Sequence, residues 1–258
     1  MGGQVWRFDI NNNPTSNNGI AQGGVIATLA ADTPRDLRRF FYQPDIALVR
    51  GDDGKKFLSI SIGSGNRAHP LETTNDDRFY MIRQYAIARA PEGYGMLDKF
   101  TGEYRPVTEA DLFDITDNSI ESNDPIVAAD ALQELKKSQG WLLKLEVPGE
   151  KVLSHSFTVD NGVNFTTYLP TPASAQDVCA PSIGHSRLYR VEVRDGSPSI
   201  GDTPASRYSD VPGSGIASSP GLFFTQEGDA YLQEGTRVVD QSNLNRLRRT
   251  YWSERAEF

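Results

Sequence analysis

The chain has 258 residues, 38% of them hydrophobic and 10% aromatic, which is enough to bury a core as one large domain or two smaller ones and too apolar for wholesale disorder. Its formal net charge of −8 argues against nucleic acid or an anionic membrane as the main partner. One cysteine, Cys179, allows no internal disulfide and no cysteine-based metal cluster, and 23 Gly and 15 Pro against 3 Met favour many short strands and turns over a helical bundle.

In chain order, Gln4-Val-Trp-Arg-Phe-Asp9 opens directly as a strand, with no secretory leader and no apolar run long enough to span a membrane. Asn11–Asn18, with five Asn, reads as a polar surface excursion. Ile46–Val49 and Lys56–Ile60 flank Arg50-Gly-Asp-Asp-Gly54 as the two arms of a hairpin. Phe57–Ile62 alternates into Gly63-Ser-Gly65 and an Arg-Ala-His-Pro corner at 67–70, after which Arg78-Phe-Tyr-Met-Ile82 is a second aromatic strand. Val5–Phe8, Arg78–Ile82, Trp141–Leu145 and Arg187–Val193 read as equivalent strands of successive units. Their spacing shrinks from roughly 73 to roughly 47 residues, the last close to a four-stranded propeller blade of roughly 40–50.

Residues 106–140 read as an acidic helical insertion. From Pro106 to Leu135 there are eight acids (Glu109, Asp111, Asp114, Asp117, Glu121, Asp124, Asp130 and Glu134) and no Lys or Arg. A short helix starts after Thr108. A longer one opens with Asp124 at the N-cap and Pro125 at the first helical position, stacks Val127, Ala131 and Leu135, and ends with Lys136 and Lys137 before Gly140. The narrow apolar face predicts helices that decorate the sheets without entering their core.

From Trp141 to Val193 the pattern predicts one clean blade. Lys151–Val159 runs to a turn at Asp160-Asn-Gly162, Val163–Tyr168 returns, and Arg187–Val193 follows a proline-containing loop. Asp195–Ser219 reads as a long surface connection, and Leu222–Thr225 with Ala230–Gln233 as a further hairpin turning at Glu227-Gly228-Asp229. Arg248–Arg255 reads as a closing strand.

Several chemical readings fail on context. Gly63-Ser-Gly-Asn-Arg-Ala68 fits the G-x-G-x-x-A dinucleotide fingerprint, but His69-Pro70 follows where a helix would have to begin, so the glycines predict a tight loop with positive φ. Gly184-His-Ser-Arg-Leu188 lacks the last glycine of a nucleophile elbow, and Ser186 leads into a strand. His69, His155 and His185 are too far apart in sequence to suggest a zinc site. Asp114–Asp124 offers oxygen ligands but neither the spacing nor the glycine of an EF-hand loop. These tests leave no catalytic, cofactor or metal residue. Asp114, Asp117, Glu121 and Asp124 remain as an acidic face open to a protein partner, and Arg50-Gly51-Asp52 as an integrin-type tripeptide.

Four segments in order resemble the β-propeller region of the PilC/PilY family, the tip-associated adhesins and assembly factors of bacterial type IV pili. They are Gly2–Asp9; Phe57–Leu71 with Asp77–Arg83; Gly149-Glu-Lys-Val-Leu-Ser154 leading to Phe165–Tyr168; and Cys179–Tyr189. The resemblance implies an all-β chain, the C-terminal portion of a propeller spanning residues 1–258, with a partial ring and the helical insertion within it. It implies a non-enzymatic module presenting binding loops, pilus-tip minor pilins and a host or surface receptor as partners, and an exported location at the pilus, outer-membrane surface or periplasm. It also implies that the family's calcium loop lies upstream of Met1, so calcium belongs to a full-length parent and Cys179 has a possible partner there. The alternative is a quinoprotein-type propeller dehydrogenase, which shares aromatic strand endings but uses a stacked Trp and often a vicinal cysteine pair. Expressed alone, an incomplete propeller is expected to expose strand edges and self-associate.

Overall fold

A computed structural model describes residues 2–10, 21–31, 33–171, 183–199, 206–213, 215–225, 230–234 and 237–240. The chain is dominated by antiparallel β-structure arranged as a series of sheets. The first sheet pairs β1 (Gln4–Ile10) with β2 (Ala21–Thr28). The second contains β3 (Asp45–Arg50), β4 (Lys56–Gly63) and β5 (Arg78–Gln84). The chain then makes a small hairpin of β6 (Met96–Leu97) and β7 (Tyr104–Arg105). It returns to the second sheet with β8 (Phe113–Asp114), passes through helix α1 (Pro125–Lys137), and adds β9 (Gly140–Lys144), giving the order β3-β4-β5-β9-β8.

The third sheet is built from β10 (Lys151–Val152), β11 (Phe157–Val159), β12 (Gly162–Leu169), β13 (His185–Glu192) and β14 (Tyr208–Val211), with β12 pairing both β10 and β11 on one side and β13 on the other. The fourth comprises β15 (Gly221–Phe224), β16 (Ala230–Glu234) and β17 (Arg237–Asp240).

Period-two alternation decides how these sheets pack. On β5, Tyr80 and Ile82 join Val5, Ile26 and Ala27 of the first sheet, and Leu29 just past β2, in one core. The intervening Phe79 and Met81 point the other way, into a larger core with Trp141, Val163, Phe165, Tyr189 and Val191. On β13 the alternation repeats, since Leu188 between Tyr189 and Arg187 turns to Leu232 of the fourth sheet. The four sheets therefore stack in chain order through alternate faces. Rings of Phe79 and Phe165 lie parallel with centroids 3.7 Å apart, and Phe165 stacks on Tyr189 at 5.0 Å, which ties the second and third sheets at the centre.

The structure corrects the unit assignment. β5 and β9 are neighbours in one sheet, with Phe79 opposite Leu143 and Met81 opposite Trp141, so they are not equivalent strands of successive units. In place of the blade expected from Trp141 to Val193 there is a five-stranded sheet that begins at Lys151 and extends to Val211. β14 lies inside the stretch read as a surface connection and pairs with β13. The run Lys151–Val159 is broken into two short strands. At its turn the positive φ angles belong to Asp160 (48°) and Asn161 (61°), with Gly162 already in β12.

The insertion is capped as its sequence indicates, but it enters the core. Asp124 accepts a hydrogen bond from the Ile126 amide at 2.9 Å, and Thr108 and Asp111 form a capping box around a single 3-10 turn. Ile115 and Leu135, however, are part of the largest core, Val107 and Leu112 belong to the core between the first and second sheets, and β8 adds a parallel strand beside β9. The expectation of mere decoration fails because the short non-helical stretches before α1 carry Val107, Leu112 and Ile115, apolar residues that helical periodicity does not register. The Asn11–Asn18 excursion, Cys179, the Glu227–Asp229 turn and the Arg248–Arg255 strand lie outside the described residues.

Candidate functional site

Gly63, Ser64 and Gly65 end β4 where the third sheet closes on the second. A Cβ on Gly63 would sit 2.4 Å from the Val152 side chain, and one on Gly65 2.4 Å from the Val152 carbonyl oxygen. Neither glycine has a positive φ, so the glycines serve close approach, and the expected left-handed loop is corrected. No helix follows them, which removes the geometry a dinucleotide would need.

Buried polar groups gather around this contact. The Ser64 hydroxyl donates to Asp77 at 2.7 Å, and burial pushes the Asp77 carboxyl above the ordinary aspartate value. The Lys151 ammonium, fully buried, donates to the carbonyl oxygens of Pro70, Glu72 and Gly149 at 3.0, 2.7 and 2.5 Å; burial lowers its pKa. Glu150 accepts from Thr167, Tyr189 and Arg187 at 2.7, 3.1 and 3.1 Å. A second network anchors the insertion: Arg38 donates to the Tyr80 hydroxyl at 2.9 Å, and Tyr80 and Arg78 both donate to Glu109. Each of these charged groups has at least one internal partner and so ties a loop to the sheets, while Asp77 Oδ2, Arg78 Nε and Arg187 Nε are buried without a hydrogen bond.

Two clefts flank the insertion. The first, about 360 Å³, is lined by the Gly51–Asp53 tip, Arg83, Tyr85, Leu132 and Lys136 of the insertion's helix, and Arg194. Arg50-Gly51-Asp52 forms the expected hairpin tip, closed by the Gly51 amide on the Lys55 carbonyl at 2.8 Å, and Asp52 pairs with Arg194 at 3.0 Å. The second, about 330 Å³, is polar and includes Thr116, Asn118, Lys144, Glu150, Arg187 and Tyr208, with the Arg187 guanidinium 4.1 Å from the Tyr208 ring centroid. The structure thus separates the two groups of partner-binding candidates, with Asp52 at the first cleft and the segment holding Asp114 and Glu121 near the second.

The acidic segment spends most of its carboxylates locally. Asp114 faces Lys144 at 2.6 Å and caps Thr116; burial opposes its charge, but these bonds outweigh it and hold the carboxyl below the ordinary value. Glu121 accepts from Asn118, Asp124 caps α1, and Asp117 is exposed. The sequence reading missed Glu150 and Lys151, whose signal was a charged pair opening an apolar strand. Ser186 is buried in β13 and hydrogen-bonds Gly215 and Ala217. Trp141 is buried with its indole N–H on the Val193 carbonyl, whereas Trp6 is exposed and stacks on Phe8. Among the described residues no group of three His, Cys, Asp or Glu could hold a metal, and no helix is long and apolar enough to cross a membrane.

The architecture defines the class: an all-β chain of stacked antiparallel sheets with one helical insertion. The Pseudomonas aeruginosa PilY1 C-terminal domain has the same fold, matching 93% of this chain with a TM-score of 0.55 at 14% sequence identity, and this chain spans 55% of that domain's length. No protein-family model and no curated protein matches the sequence.

Proposed function

We propose that this chain is a non-enzymatic module of type IV pilus biogenesis or attachment, a propeller-like scaffold whose loops present binding surface. The observation that carries the reading is the shared fold with the PilY1 C-terminal domain along 93% of the chain. The sheet order supports the propeller reading, because successive sheets pack through alternate faces in the manner of successive blades. The buried charges support a scaffold, because Lys151 and Glu150 spend their hydrogen bonds on groups of the chain that fix loops.

On this reading the partners are minor pilins at the pilus tip and a surface or host receptor, and the protein acts outside the cytoplasm, in the periplasm or on the pilus. Deleting the gene in its bacterial host and scoring surface pili by electron microscopy, twitching and attachment tests the reading. Loss of one or more of these, restored by the gene in trans, is expected. Unchanged piliation, twitching and attachment would overturn it.

A further inference from the structure

The loop that joins β4 to β5 crosses the junction of the second and third sheets without an apolar anchor. From Arg67 to Thr74 no side chain is buried. Two bonds shape its middle from within, the His69 amide to the Asn66 carbonyl at 3.1 Å and the Glu72 amide to the His69 carbonyl at 3.2 Å. Outward ties come from Arg67, which donates to the Tyr42 hydroxyl, and from Lys151 of β10. The Lys151 ammonium reaches the Pro70 and Glu72 carbonyls of the loop together with the Gly149 carbonyl beside it. Among the described residues none of those three carbonyls accepts from a backbone amide.

Three oxygens therefore converge on one cation from two parts of the chain. The three N–H bonds of an ammonium match them one for one. Gly149 turns its carbonyl inward with φ at 81°, a conformation that suits glycine, and a Cβ there would lie 2.7 Å from Thr73 Cγ2. The Asp77 and Glu72 carboxylates favour the ammonium electrostatically, and Asp77 is itself buried. The oxygens lie 2.5, 2.7 and 3.0 Å from the nitrogen. Magnesium takes oxygens at about 2.0–2.1 Å and calcium takes about six to eight of them at about 2.3–2.6 Å, so three neutral carbonyls at these distances suit a monovalent ion. Backbone carbonyls that replace a hydration shell hold potassium in the same way.

We propose that the Pro70, Glu72 and Gly149 carbonyls form a site for a bare monovalent cation of ammonium's size. The tethered ammonium of Lys151 is its resident occupant, and occupation of the site is what holds residues 66–76 against the third sheet. Because the cation is part of β10, the loop is fixed without drawing an ion from solvent. Shortening the side chain to alanine leaves the oxygens facing a space that free ammonium or potassium enters. Methionine, of similar length but apolar, fills that space and keeps the ion out. The inference rests on the geometry of the loop and β10 and is independent of a role in pili.

The test is hydrogen exchange by mass spectrometry on the full chain, Lys151→Ala and Lys151→Met, each in choline, potassium and ammonium chloride at equal ionic strength. In choline chloride both variants should exchange residues 66–76 about tenfold faster than the parent or more, as loss of a hydrogen bond to a charged group shifts a local opening, while β4 and β5 stay protected. Potassium or ammonium should restore slow exchange to Lys151→Ala alone and leave the parent unchanged. Parent-like exchange of the loop in both variants would overturn the proposal, because the loop is then held by other contacts. So would exchange in Lys151→Ala that is the same in all three salts, or an equal rescue of Lys151→Met, since neither needs a cation site. Should Lys151→Ala open globally in choline chloride, its urea midpoint carries the same comparison: a rise in potassium or ammonium for that variant alone is expected, and equal midpoints would overturn the proposal.

Discussion

The Val152 amide donates to the Ser64 carbonyl at 2.9 Å, and this main-chain bond fixes how the third sheet sits on the second. It forms because Gly63 and Gly65, on either side of Ser64, present no Cβ to β10. The Gly65 amide meanwhile donates to the Arg39 carbonyl at 2.9 Å, so the turn is held from both sides.

Gly65→Ala should destabilise the protein by about 2–4 kcal/mol, because its Cβ would meet a backbone oxygen that cannot swing aside. For Gly63→Ala the three nearest atoms all belong to the Val152 side chain, and Val152→Ala removes the two Cγ contacts while its Cβ at 2.5 Å remains, so adding it should recover part of the loss. Urea denaturation of the two double mutants checks this. Val152→Ala recovering Gly65→Ala as fully as Gly63→Ala would show that the backbone is not the obstacle.

The insertion is expected to be indispensable. Ile115 fills space against Gly196, whose absent Cβ would lie 2.2 Å from the Ile115 Cδ1, and both Ile115 and Leu135 sit in the largest core. Ile115→Ala should cost about 2–5 kcal/mol, and removing residues 106–140 should leave a chain without a cooperative melt. Thermal unfolding followed by circular dichroism distinguishes this from a dispensable decoration, which would leave the transition intact.

How much of this was legible in the sequence divides by the range of the signal. The helix caps at Thr108 and Asp124, the Arg50–Gly54 hairpin tip and the all-β class follow from local chemistry, and local chemistry is what neighbouring residues encode. The assignment of β5 and β9 to one sheet depends on pairing across some 60 residues, and both strands carry the same aromatic alternation, so similarity was mistaken for repetition. Glycines at 63 and 65 looked like turn formers because a sequence does not reveal which backbone will press against them. For the same reason the local partners of the acidic face were not legible: Asp114, Glu121 and Asp124 are exposed as read, but each also holds a neighbour, Lys144, Asn118 and the Ile126 amide respectively.

Asp52 should contribute little to stability. Its pair with Arg194 joins two side chains open to solvent, and such pairs are worth about 0–1 kcal/mol. Asp52→Ala is therefore expected to shift the urea midpoint slightly. If the hairpin is a receptor contact, the same variant should reduce surface attachment without affecting folding, and equal attachment by both proteins would remove Arg50-Gly51-Asp52 from the binding surface.

The final expectation concerns acid. Asp111 lies beneath the insertion's first turn, where burial alone would raise its carboxyl. Hydrogen bonds from Arg105 at 2.7 Å, from the Thr108 amide and hydroxyl at 2.8 Å, and the Arg105 charge outweigh that, holding it below the ordinary value of 3.8. A carboxyl depressed in the folded state adds stability that is fully present above its unfolded value and is lost as pH falls through the folded one. Asp111→Asn should thus be less stable than the parent by about 1–2 kcal/mol near neutral pH, from loss of the cap and the ion pair. The gap should narrow as pH drops below about 3.8, where the unfolded parent takes up a proton that the folded one still refuses, and should stop narrowing once the folded carboxyl is protonated too. Paired urea titrations at pH 7 and at successively lower pH would show this convergence; a gap independent of pH would assign the loss to packing and leave the carboxylate's charge without a role.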